Sequence, residues 1–143
     1  LSGTPVHRKV GIYNVTFEPG CRNNWHIHHA AKGGGQILVC VAGRGYYQEW
    51  GKAPLELHPG DVVNIPPEVK HWHGAAPDCW FSHLAVEVPG EGTSNEWCEP
   101  VAEKTYGNCG NLYDMYNREF PGGSFLFFIS CKMSLFRLPC GCL

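Results

Sequence analysis

The chain has 143 residues and a formal net charge of −2, enough for one sizeable core and too few for two. That balance provides no basic stripe for nucleic acid, so a small molecule is the expected partner. The most apolar window, Phe125 to Leu138, is broken by Lys132 and Arg137 and falls short of the ~20 residues that cross a bilayer, so no membrane contact is expected.

Val10 to Glu18 alternates, with Val15 and Phe17 on one face and Asn14 and Thr16 on the other, and stops at Pro19-Gly20; it predicts a strand and a tight turn. Cys21 to Trp25 leads into a first histidine strand, His26-Ile27-His28-His29, followed by a predicted small-residue loop from Ala30 to Gly35. Gln36 to Val41 is rich in β-formers, and Gly43-Arg44-Gly45 predicts a hairpin into Tyr46 to Trp50. Turns at Gly51 to Pro54 and Pro59-Gly60 bracket Leu55 to His58, and Pro66-Pro67 ends the short strand Asp61 to Ile65.

The second histidine strand, His71 to Ala75, comes next, and after Pro77-Asp78 the run Trp80 to Val88 alternates again. Leu84, Val86 and Val88 share one side; Phe81, His83, Ala85 and Glu87 share the other. Pro89 to Gly92 closes this region. Thr93 to Lys104 is expected to be extended, with Trp97 anchoring it to the core. Short strands punctuated by Gly and Pro, without a long helical pattern, predict an all-β sandwich or barrel. We divide the chain into a barrel with its extension, residues 1–103, and a Cys- and Phe-rich tail, residues 104–143.

The tail lacks periodicity and is expected to be an unstructured extension or, alternatively, a strand or helix covering a partner subunit. Its run Phe125 to Ile129 would promote aggregation if left exposed. Of the eight cysteines, Cys21, Cys40, Cys79 and Cys98 stand singly, and Cys109, Cys131, Cys140 and Cys142 crowd into the end of the chain. That asymmetry does not resemble a disulfide framework, so a reduced, cytoplasmic setting is expected. Cys140 and Cys142 form one CxC pair, a weak signal for a soft metal. No basic region followed by an apolar run opens the chain, so no secretory leader is expected, and a start at Leu1 is expected of a fragment or processed product.

Histidines at i and i+2 on a strand point to one face, so two such strands can aim His26, His28, His71 and His73 into one cavity. The spacing resembles the cupin family, small barrels of the double-stranded β-helix, jelly-roll type. Gly20, His26, His28, Gln36 and Gly43 fill the places of its first motif, with a longer gap before Gln36 than the common form has. Gly60, Pro66 and His71 fill the second, with Glu68 where the family often has glycine and Ala75 where it often has asparagine.

Lys70 to Ala75, Gln36 in place of Glu and the strand Ser82-His83-Leu84-Ala85 look like a bacterial subgroup. It comprises manganese cupins with hydroxynitrile lyase activity and cupins named after carboxymuconolactone decarboxylase. The resemblance implies metal ligands His26, His28, Gln36 and His71, with His73, His83 and Glu87 beside the ion; the lyases commonly carry Gln at the last position. It also implies a homodimer, paired through a sheet face such as Leu84, Val86 and Val88.

Three imidazoles and an amide oxygen bind a divalent ion and leave positions open; manganese is the first expectation, then iron, zinc or nickel. An ion held by neutral groups keeps its full charge and favours an anionic oxygen. His73 or His83 could move a proton, and Glu87 could orient His83 or accept one. A metal-dependent lyase, decarboxylase or isomerase acting on a small molecule is therefore expected. The alternatives are an Fe(II) dioxygenase and a non-enzymatic binding or sensor domain. Blander readings are a His83 bonded to a backbone carbonyl and a merely solvated Glu87.

Overall fold

The structure, a computed structural model, describes residues 10–107, Cys109 and the backbone of 134–136. Among the described residues twelve strands follow one another: β1 (Ile12–Phe17), β2 (His26–His29), β3 (Lys32–Gly33), β4 (Gln36–Gly43), β5 (Gly45–Glu49), β6 (Leu55–Leu57), β7 (Val62–Ile65), β8 (His71–Ala75), β9 (Phe81–Glu87), β10 (Gly90–Glu91), β11 (Ser94–Trp97) and β12 (Ser134–Phe136). They form two five-stranded sheets, in the orders β12-β1-β9-β4-β7 and β11-β2-β8-β5-β6, and a two-stranded pair, β10-β3. Every pairing is antiparallel. Among the described residues no ladder joins the two large sheets, so the expected all-β fold is an open jelly-roll.

Alternation explains the core. Val15 and Phe17 of β1, Leu38 and Cys40 of β4, Ile65 of β7 and Phe81 and Ala85 of β9 are buried against Tyr47, Leu57 and Ala75 of the other sheet. Burying each large apolar side chain contributes roughly 1.5–3 kcal/mol. The second sheet is covered on its outer side as well. Trp25, Tyr46, Trp72 and Ala76 pack against Val101, Tyr106 and Cys109, and the Tyr106 hydroxyl donates to the Ala75 carbonyl at 2.8 Å. All five residues of β8 are consequently buried, which gives the second histidine strand a rigid setting.

Three expectations need correction. Gly43-Arg44-Gly45 is a corner between sheets rather than a hairpin, because β4 pairs with β7 and β9 whereas β5 pairs with β6 and β8. Two glycines make the corner possible: Gly43 has φ +75° and a Cβ there would lie 1.7 Å from the Trp80 carbonyl oxygen, while one at Gly45 would lie 2.4 Å from the Phe81 ring. Ala30 to Gly35 is not all loop, since β3 within it pairs with β10. Trp97 anchors the extension only in part; its ring rests on that of His26, centroids 4.9 Å apart, but it is 60% exposed, and Val101, Tyr106 and Cys109 supply the buried packing.

Of the tail, β12 pairs along β1; Phe125 to Ile129 and the Cys140–Cys142 pair lie outside the described residues. Of the described cysteines, Cys40, Cys79, Cys98 and Cys109 are free thiols. Among the described residues no helix is long and apolar enough to cross a membrane.

Candidate metal centre

In the antiparallel pair of β2 and β8, His26 sits directly opposite His71. Strand parity then places His28 on the same inner face, and the three rings converge. One nitrogen from each of His26, His28 and His71 lies within 4.8 Å of the others, and the His26 and His71 ring centroids are 4.1 Å apart.

Each of these rings is held by its other nitrogen. His26 Nδ1–H donates to the Asn24 carbonyl at 3.0 Å, His71 Nδ1–H to the Val69 carbonyl at 2.8 Å and His28 Nδ1–H to Asn95 Oδ1 at 2.7 Å. With the proton on Nδ1, Nε2 is left with its lone pair, the form a metal requires. Nε2 of His28 and of His71 is buried without any hydrogen-bond partner, as is Oε1 of Gln36 on β4. Unpartnered buried acceptors cost about 1–3 kcal/mol each, and a divalent cation is the species that would satisfy the converging ring nitrogens, so the imidazoles present fit the implied ion. Burial pushes the His26 pKa down to about 4 and that of His71 down to about 3. Both rings are therefore neutral near pH 7, and protons do not compete for the site.

His73, two residues along β8, is buried and gripped by Asn23. Asn23 Oδ1 accepts from the His73 backbone N–H at 2.9 Å, and the Asn23 amide nitrogen donates to His73 Nε2 at 3.0 Å. His83 comes from β9 of the facing sheet, edge-on to His73 with centroids 4.6 Å apart and packed beside both Phe17 and Phe81, whose rings are 6.5 Å apart. Neither His83 nitrogen has a hydrogen-bond partner, so the carbonyl-bonded alternative is not what the structure contains. Desolvation lowers the His83 pKa to about 4 and holds that of His73 well below its usual value, with the neighbouring histidines acting in the same direction.

Glu87 lies opposite Gln36 in the β4–β9 ladder, at the rim of a cavity of about 800 Å³ that reaches His28 and is walled by Lys32, Glu91 and Asn95. Its carboxylate rests against Gly11, where a Cβ would come within 2.5 Å of Oε2. The structure thus groups His26, His28 and His71, sets His73 and His83 together behind them, and leaves Glu87 at the mouth.

Sequence reasoning missed Asn23 and Asn95, which hold ring atoms from strands and loops distant along the chain. A spacing motif carries no signal for either. It also missed the setting of His29, which points away from the trio and lies between Glu68 at 2.6 Å and Glu96 at 2.7 Å; those carboxylates raise its pKa. Glu68, at the position where glycine is common in the resembling family, has φ +67°. The family preference has a steric reason there, and Glu68 is retained by its bonds to His29 and to the Ala30 N–H.

An open antiparallel jelly-roll with three converging imidazoles defines a histidine-lined β-sandwich able to hold a metal ion. A cupin domain model matches residues 13–78, and the chain belongs to the cupin family. It is 46% identical over 106 residues, 74% of this chain and 78% of the relative, to an (R)-mandelonitrile lyase from Granulicella tundricola. Among solved structures it is similar to a cupin-like protein from Thermotoga maritima, with 44% identity, a TM-score of 0.60 and coverage of 68% of this chain and 70% of that one. It is also similar to a DMSP lyase from Ruegeria pomeroyi, at 26% identity and a TM-score of 0.54, over 66% of this chain and 45% of that one.

Proposed function

We propose that this protein is a metal-dependent lyase whose substrate is a small hydroxylated molecule of the cyanohydrin type. The observation that carries this reading is the convergence of one ring nitrogen from each of His26, His28 and His71, with each ring tethered through Nδ1. The name of the Granulicella relative supports the reaction class. His26, His28, His71 and Gln36 would hold the ion, manganese being the first expectation. Bound by neutral ligands, it supplies positive charge that stabilises a developing oxyanion.

His83 takes the hydroxyl proton, since both its nitrogens are unpartnered whereas Asn23 occupies His73 Nε2. As the carbonyl forms, the bond to the nitrile carbon breaks and cyanide leaves with the electron pair. It then gains the proton, so the products are an aldehyde and hydrogen cyanide. His73 orients His83, and Glu87 at the cavity rim positions the substrate. The protein works as a dimer of identical chains in a cytoplasmic setting. The outer face of the first sheet suits that pairing, because exposed Ile12 faces Val86, and Val39 lies between Leu84 and exposed Val62.

Elemental analysis of the purified protein and an assay of aldehyde release from mandelonitrile test the proposal together. Stoichiometric manganese with release that chelation abolishes is the expected result. Iron with oxygen uptake, or tight ligand binding without turnover, would replace this reading.

A further inference from the structure

We propose that Asn95 is the positioning residue for His28: its side-chain oxygen fixes the ring with the proton on Nδ1 and so presents Nε2 to the divalent ion. This inference rests on the metal reading above. His26 and His71 lean on backbone carbonyls two residues before them, Asn24 and Val69, so their own strands hold them. His28 instead reaches across to another strand. Asn95 of β11 lies directly opposite it in the β11–β2 register, and its Oδ1 stands 2.7 Å from Nδ1.

The orientation of that hydrogen bond follows from what the ring faces. Were the Asn95 amide turned to donate to Nδ1, the ring proton would sit on Nε2, which is buried without a partner in a cluster with the His26 and His71 nitrogens, and a protonated Nε2 cannot ligate the ion. With Oδ1 accepting, Nε2 becomes an unshared lone pair aimed at its two counterparts. Asn95 also lines the cavity that opens beside His28, so one side chain touches both the ligand ring and the wall of the cavity. Of the three ring tethers, this is the one a point substitution can remove.

The test uses the full chain stripped with chelator and titrated with Co(II), read from its d–d absorption, and with Mn(II) by competition. Asn95→Leu, similar in size but without an acceptor, should lower affinity about 10- to 100-fold and alter the Co(II) bands. Because β11 is exposed, the metal-free variant should melt as the unsubstituted protein does. Asn95→Asp should restore affinity to at least the original level, since a carboxylate is the stronger acceptor. Affinity of Asn95→Leu within threefold of the original, or Asn95→Asp as weak as Asn95→Leu, would overturn the inference. Failure of the unsubstituted protein to bind either metal would remove the metal reading itself, an outcome distinct from the other two.

Discussion

The site contains two groups of buried histidines that differ in how they are tethered. His26, His28 and His71 each donate Nδ1–H to a fixed oxygen and leave Nε2 free. His73 is held instead at Nε2 by the Asn23 amide, and His83 has no tether beyond the stacking of Phe17 and Phe81. A ring committed at one nitrogen has its tautomer chosen in advance, which suits a ligand; an uncommitted ring can gain and lose a proton, which suits transfer. The contrast divides the five into three that hold, one, His83, that is free to act, and His73, itself committed through Asn23, which orients His83, although burial lowers the pKa of tethered and untethered rings alike.

The largest effect should come from removing a member of the tethered group. His71→Ala is expected to leave the purified protein without stoichiometric metal, as read by elemental analysis; full retention would break the division. Removing the free member should separate the two functions. His83→Ala should keep its metal while losing mandelonitrile turnover by about 10²- to 10⁴-fold, the usual worth of general acid–base catalysis, and unchanged turnover would take His83 out of the chemistry.

A third effect sharpens the comparison through pH. Because His83 is held at about 4 when folded and titrates near 6.5 in an unfolded chain, the unfolded state binds more protons between those values. Stability is therefore complete above about pH 6.5 and falls as the pH drops towards 4, by roughly 3 kcal/mol from this residue alone. Urea midpoints of chelator-treated protein at pH 7.5 and 5 measure it, and a flat profile would contradict the buried neutral ring. The smallest effect concerns His29, which lies outside both groups. Glu68→Gly relieves the positive φ, worth roughly 1 kcal/mol, but removes the bonds to His29 and Ala30. The melting temperature should move by only a few degrees, with metal content unchanged.

The ligand-bearing strands were legible because side-chain parity is local: His26 and His28, then His71 and His73, need only to be extended to share a face. Proline and glycine likewise marked most strand ends. What the sequence hides is long-range. Gly43-Arg44-Gly45 reads as a hairpin because a turn between paired strands and a corner between sheets both demand flexible, small residues; only the partners of β4 and β5 distinguish them. Trp97 rests on His26 yet stays largely exposed, because hydrophobicity does not reveal that its strand is an edge. Asn23 and Asn95 act on rings 50 and 67 positions away, and nothing near either marks it as a tether.

Between β2 and β8 the strand ladder consists of one rung, His26 opposite His71, whereas β2 runs alongside β11 over its whole length. A cation gripped by His28 and His71 together would therefore act as a rivet across the weakest seam of the sheet. Occupancy should be visible as slower amide exchange in β2 and β11, while β5 and β6, fastened elsewhere, exchange as before.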